Sequence, residues 1–412
     1  MTTNKTLLLC GFGGMLEFYD FIIYALLASI LAEQFFPTGD AITSILATFA
    51  TFALGYLVRP IGGFIFGHFG DVYGRKNTFM MTVLLMALST LLIAFVPSYQ
   101  QIGITGTLLL IILRIVQGLS IGGEIPGAIT YISECVPKHQ RGFTSGVIFF
   151  FLANGVTLGT LAHWWLSGLL SAESFHQWGW RLLFVIGGVL GFINYLLRKR
   201  IQESPVFENL TSSVRFPLSH VIRFRKRITF FGVLITGSGA AMITTYFLFI
   251  PGYLKIVLPS KPDGFLFASV VGCFTSTLII LLFGYLSDRF NRRWLISGSL
   301  LASILLALPI FNSWVSGDLW IPMLAGATLY GTIWGVIPSI LPTLFDTEIR
   351  FSGVATCYNL GFALFAGLGP LICFYLIHIT GLPDAPAYYL MVVCGAALVV
   401  ALLSSVASKA QS

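Results

Sequence analysis

Gly67-His68-Phe69-Gly70-Asp71-Val72-Tyr73-Gly74-Arg75-Lys76 is a short polar, glycine-rich segment set in strongly apolar sequence. It separates two apolar runs, residues 41–66 and 78–96. Each run is long enough to cross the roughly 30 Å hydrocarbon core of a bilayer as a helix. The polar stretch is too short for a domain, so it reads as a tight reversal at the membrane surface. Its glycines let two helix ends approach closely. Asp71 and Arg75 are four apart and share a helical face. A second copy, Gly284-Tyr285-Leu286-Ser287-Asp288-Arg289-Phe290-Asn291-Arg292-Arg293, repeats the pattern Gly-x-x-x-Asp-x-x-x-Arg at an offset of 217 residues. Any pair of membrane helices can be joined by such a turn. Two copies in register, about half a chain apart, point instead to a transporter built from two similar halves.

Composition agrees. Of 412 residues, 56% are hydrophobic and 9% charged. Mean hydropathy is +0.89. Soluble domains carry about 25% charged residues, so most of this surface must face lipid. Twelve apolar runs can be counted, near 6–34, 41–66, 78–96, 104–135, 143–168, 180–197, 228–257, 265–285, 294–312, 320–342, 353–379 and 387–407. The fold expected is an all-α membrane protein of 12 transmembrane helices in two six-helix bundles. The bundles would span 1–197 and 228–412, joined by a linker at 198–227. With the N-terminus inside, 18 of the 23 Lys and Arg residues fall on inside segments, which predicts both termini cytoplasmic. The same placement disposes of a nucleic-acid role for the net charge of +7. The first run carries Glu17 and Asp20 and exceeds signal-peptide length, so it reads as a span. The six cysteines have no metal spacing and read as packing residues.

The turn Gly-His-x-Gly-Asp-x-x-Gly-Arg-Lys resembles the cytoplasmic loop signature of the major facilitator superfamily. Run four ends in Glu134-Cys-Val-Pro137-Lys-His-Gln-Arg141, and run ten in Thr343-Leu-Phe-Asp346-Thr-Glu-Ile-Arg350. The final Arg keeps its place, while Thr343 stands where Glu134 does. By resemblance, Gly67, Asp71, Gly74, Arg75, Glu134, Arg141, Asp288, Arg292 and Arg350 form a cytoplasmic gate. The alternative is a set of solvated loop charges.

Charge deep in a span is costly and marks a cavity or a partner. Five such residues stand out, all in the first half: Glu17, Asp20, Arg59, Arg114 and Glu124. Glu17, Asp20 and Tyr24 recur at helical spacing on one face. Arg114, Gln117 and Glu124 fall within roughly 90° of arc. Arg59 lies about 10 Å from the inner end of its run. The second half offers Tyr246, Tyr330, Trp334, Tyr358 and Asn359 instead. Arg114-Ile-Val-Gln117-Gly118 resembles a second superfamily signature, found in proton-coupled members; otherwise Arg114 serves as a structural ion pair.

A narrower resemblance is carried by seven stretches in order: Glu17-Phe-Tyr-Asp-Phe21, Phe35-Phe-Pro37, Arg59-Pro-Ile-Gly-Gly63, Gln117-Gly-Leu-Ser-Ile-Gly-Gly-Glu124, Trp178-Gly-Trp-Arg181, Glu203-Ser-Pro-Val-Phe207 and Tyr358-Asn-Leu-Gly361. Together they look like the metabolite:proton symporter family, whose members import carboxylates such as α-ketoglutarate, citrate and shikimate, or proline and betaine. Two departures stand out. The family usually has Trp where Phe18 stands, and Trp-Gly-Gly where this chain has Ile125-Pro-Gly127. Pro126 would loosen the helix beside a candidate coupling acid.

The leading expectation is proton symport of a small organic anion by alternating access. Arg59 and Arg114 would take the carboxylate as planar forks. Tyr24, Gln117, Asn154, Tyr358 and Asn359 would add neutral hydrogen bonds. Glu17, Asp20 and Glu124 are the proton-coupling candidates. The alternative is a zwitterion, an amino acid or osmolyte, on the same fold. The osmosensing branch carries a long C-terminal extension, and the end at Ser412 counts against that branch. No enzyme, metal site or cofactor is expected. H+ is the expected coupling ion, with Na+ left open. The expected partners are a small-molecule substrate and the lipid bilayer. A monomer in a bacterial inner membrane completes the reading.

Overall fold

The computed structural model describes residues 3–73, 75–199, 221, 223, 225–257, 264–346 and 349–403. Over its described residues, each of the twelve apolar runs is mainly helical. The spans are α1 (Thr3–Leu26, continuing as Ala28–Phe35), α2 (Thr43–Phe66), α3 (Arg75–Ile93), α4 (Ile104–Thr130), α5 (Arg141–Leu169) and α6 (Ala172–Leu197). They continue as α7 (Lys226–Leu248, then Ile250–Val257), α8 (Phe265–Arg289), α9 (Arg292–Val315), α10 (Trp320–Leu344), α11 (Arg350–Thr380) and α12 (Ala385–Leu403). Ten of these are long and apolar enough to cross a membrane unaided. The α1 pair, bent by 65° at Leu27, makes an eleventh. In α3 the apolar part shortens to Met80–Ile93. No strand occurs among the described residues.

Length and composition make these segments helical, because a backbone in lipid must satisfy its own hydrogen bonds. Packing then sorts them. The apolar window of α10 is 83% buried and that of α7 78%, against 39% for α8. Residues such as Trp294, Ile321, Val392 and Leu403 are exposed and supply the lipid face. In the first half, α1 packs on α5, α3 on α6, and α2 and α3 on α4. In the second, α7 packs on α11 and α12, α8 on α10, and α9 on α12. The two sets meet chiefly along α5–α8 and α2–α11.

Small residues make the close crossings possible, as expected where no hydrophobic force drives helices together. A Cβ on Gly62 of α2 would lie 1.9 Å from the Leu119 carbonyl oxygen of α4. One on Gly118 would lie 2.0 Å from the Gly55 carbonyl oxygen. These are backbone atoms that cannot swing aside, so α2 and α4 touch only because both positions lack side chains. Elsewhere, π-helical turns interrupt α7 at Thr244–Leu248 and α11 at Phe362–Gly367. Such turns recur at functional positions in helices.

Candidate functional site

Four charged residues are buried among the described residues, Asp20, Arg59, Arg114 and Glu124. All come from the first half. Asp20 and Arg114 form an ion pair, with Arg114 Nη1 donating to Asp20 Oδ2 at 3.0 Å. The same Nη1 donates to Gln117 Oε1 at 2.8 Å. Gln117 Nε2 donates to Thr90 Oγ1 at 2.8 Å, and Thr90 Oγ1 donates to Asp20 Oδ1 at 3.0 Å. The result is a closed ring of four side chains from α1, α3 and α4. Tyr24 lies under it, with the Arg114 guanidinium carbon 4.1 Å from its ring centroid. The Tyr24 hydroxyl donates to the Thr48 carbonyl at 3.2 Å. Taking both charges out of water is costly, and hydrogen bonds of this kind offset part of that cost.

Asp20 and Glu124 also line one small cavity, shared with Thr90, Gly187, Gly191 and Asn194. Its walls come from α1, α3, α4 and α6. Glu124 sits in the first turn of Glu124–Cys135, the second piece of α4. The positive end of that helix dipole favours its carboxylate. Thus two of the predicted ionic residues line one space, and a third, Arg114, pairs with one of them.

Arg59 does not join them. It lies on an aromatic cluster between the halves, its guanidinium carbon 4.6 Å from the Tyr56 centroid and 5.3 Å from that of Phe362. Tyr56 and Phe362 are parallel within 7° at 6.1 Å. Phe362 also meets Tyr358 at 4.5 Å, Trp334 at 5.5 Å and Phe18 at 6.3 Å. Phe149 of α5 stacks on Trp334 at 5.0 Å. Tyr330 and Phe247 extend the wall. Faces of this kind attract cations through the ring quadrupole.

The neutral groups expected to meet the solute have protein partners. Gln117 is committed to the ring around Asp20. Asn154 Nδ2 donates to the Phe150 carbonyl of its own helix at 2.8 Å. Asn359 Nδ2 donates to the Gly122 carbonyl of α4 at 2.7 Å. Tyr358 stands in the cluster. Tyr246 turns away, stacking on Phe311 of α9. Thr90, Tyr56, Phe149, Phe362 and Asn194 were not anticipated. Only Tyr56 left a usable signal, three residues before Arg59 on a helical face.

At the end bearing the signature turns, Asp288 receives the backbone N–H of Gly142 at 2.7 Å and of Phe143 at 2.8 Å. A carboxylate from α8 therefore caps α5 across the two halves, where the helix dipole favours it. Arg292 Nη2 holds the same carboxylate at 3.2 Å. Gly284 and Gly142 are packed too closely to admit a Cβ on Gly142. Arg350 instead binds the Pro342 and Phe345 carbonyls at the end of α10. Arg141, half-buried, opens α5. Glu17, Gly67, Asp71, Gly74, Arg75 and Glu134 lie outside the residues whose side chains are described, as does most of the 198–227 linker. At the opposite end, Phe49 of α2 meets Phe374 of α11 at 5.6 Å. Both ends are thus bridged between halves.

Residues 10–370 match the family model described as Major Facilitator Superfamily. The proline/betaine transporter of Salmonella typhimurium is 33% identical over 426 residues, covering 98% of this chain and 83% of that protein. The glycine betaine/proline/ectoine/pipecolic acid transporter OusA of Dickeya dadantii is 34% identical over 407 residues, covering 95% and 81%. Among solved structures, a double Trp mutant of XylE superposes with a TM-score of 0.77 at 14% identity, covering 98% of each chain. A D-xylose-proton symporter gives 0.74 at 17% identity, covering 98% and 97%. These structural likenesses speak to fold. With the matched family model, the two transporter relatives and the twelve helices, the chain belongs to the Major Facilitator Superfamily and is a membrane-embedded secondary transporter, not an enzyme.

Proposed function

We propose that this chain imports a zwitterion of the proline or betaine type together with protons. One observation carries the reading: a buried guanidinium, Arg59, already lies against the rings of Tyr56 and Phe362, with Trp334 and Tyr358 adjoining. A zwitterion needs opposite recognition at its two ends. Arg59 offers a planar fork for the carboxylate. The π faces beyond it suit an onium group, and quaternary ammonium binding by aromatic rings is their best-known use. Relatives named for proline and betaine support this solute class over the organic anion.

Proton coupling belongs to Asp20 in this reading, with Glu124 sharing its cavity. A protonated Asp20 is neutral and no longer holds Arg114, so the ring of four opens. Loss of the proton re-forms it. The halves then rock about the solute, with both termini on the cytoplasmic face of the inner membrane. The chain works as a monomer without a cofactor.

The test is uptake into proteoliposomes under an imposed inward proton gradient. Glycine betaine or proline should accumulate and should leak back when the gradient is collapsed. α-Ketoglutarate and citrate should not accumulate. Carboxylate accumulation with no response to betaine or proline would return the assignment to the organic anion. Uptake driven by Na+ alone would remove the proton.

A further inference from the structure

We propose that Pro126 and Asn359 form a latch that holds the signature-turn end of the two halves closed. In an α-helix each carbonyl receives the N–H four residues on. The carbonyl of Gly122 should receive residue 126, but proline has no N–H to give. The helix accordingly breaks there: Ile104–Ile121 ends, Gly122 and Gly123 intervene, and Glu124–Cys135 begins. A buried carbonyl so deprived needs another donor. Asn359 supplies it from α11, in the other half and 237 residues away, at 2.7 Å.

The approach is prepared by glycine. A Cβ on Gly63 of α2 would lie 2.9 Å from the Gly122 oxygen and 3.1 Å from Asn359 Nδ2. A Cβ on Gly122 would lie 2.2 Å from the Arg59 carbonyl oxygen. Three helices therefore converge on one hydrogen bond, and none has a side chain in its way. The bond's position gives it leverage. Asn359 follows Tyr358 and precedes Phe362 by three residues, so a solute pressing on those rings acts on the helix that carries the donor. Gly122 precedes Glu124 by two residues, so the acceptor lies at the start of the piece of α4 that bears that acid. The Nδ2 expected to serve the solute serves the gate instead.

The inference rests on alternating access in this fold and not on the identity of the solute. It is tested on the full chain in nanodiscs with no solute present, so failure of the solute assignment leaves it standing. Spin labels at His139→Cys and Phe290→Cys, one in each half at the signature-turn end, report that end's separation. The background has the six native cysteines replaced and retains uptake. Asn359→Ala should shift the open-to-closed ratio about fivefold towards open, the size of one lost hydrogen bond. Pro126→Ala should shift it the same way but less, because the carbonyl keeps a second lone pair for Asn359. It should also raise thermal stability by repairing the helix, a combination that a purely structural role for Pro126 does not produce. Unchanged distances in both variants would overturn the latch, as would an unsubstituted chain already open at that end throughout. A shift in Asn359→Ala alone would remove Pro126 from it.

Discussion

The two halves share a repeat and a turn motif, yet they bury opposite kinds of chemistry. All four buried charges among the described residues lie between Asp20 and Glu124. The matching depth of the second half holds Tyr330, Trp334, Tyr358 and Phe362. The first half is therefore the part whose packing can respond to a proton. The second is the part whose surface can recognise shape and π-complementary charge. A buried ion pair gives little net stability, because desolvation offsets its attraction. In the proposed reading this becomes a division of labour: coupling in α1–α4, an aromatic wall for the solute in α10–α11, and contact between the two at Arg59 and Asn359.

The largest effect should come from breaking that division at its ionic end. Asp20→Asn keeps the size of the side chain and one of its two accepting oxygens, but it cannot exchange a proton. Net accumulation should collapse to simple equilibration, while exchange of labelled for unlabelled solute continues. Both are measured in the same proteoliposomes, with and without a proton gradient. A variant that still concentrates solute would place coupling outside the Asp20–Arg114 ring.

A smaller effect is expected at the aromatic end. Trp334 contacts Phe149, Tyr330, Tyr358 and Phe362. Trp334→Ala should raise the KM for glycine betaine about thirtyfold, the size of a desolvated cation–π contact of about 2 kcal/mol. Trp334→Phe should raise it less. The accumulation ratio at saturating solute should be unchanged. If the ratio falls and KM holds, the aromatic wall acts on coupling and the division dissolves.

Much of this was legible in the sequence, and the limit has a physical cause. Hydropathy marks every span because lipid imposes helices on apolar runs. Buried acids and arginines stand out for the same reason, since charge at that depth needs a purpose. Partners are another matter. Thr90 closes the ring around Asp20, but nothing distinguishes a threonine in an apolar run until the rotation of α3 against α1 is known. Among 37 phenylalanines, Phe149 is buried on Trp334 while Phe143, on the same helix, is 46% exposed. Lipid and protein are equally apolar neighbours, so the sequence carries no contrast between them. Pro126 was visible as a helix breaker. That its orphaned carbonyl would be met from α11 is a tertiary fact. The 65° bend at Leu27 was hidden too, within one continuous apolar run.

The smallest effect tests whether the boundary between the two kinds of chemistry follows the chain or the space. Phe149 belongs to the first half by sequence, yet its ring lies parallel to Trp334 within 13° at 5.0 Å. If the halves divide the work strictly by sequence, Phe149→Leu should disturb coupling. If location decides, it should behave as part of the aromatic wall. The geometry favours the second. Leucine keeps the site filled, so the loss is confined to one stacked pair, about 0.5–1.5 kcal/mol. That corresponds to a rise of about two- to twelvefold in KM for betaine, with the accumulation ratio intact. Paired with Trp334→Ala, the double variant should fall short of the product of the single effects, because each ring orients the other and contacting residues are not additive. Full additivity would mean that the two rings serve the solute independently, and the wall would then be a set of separate contacts and not a single surface.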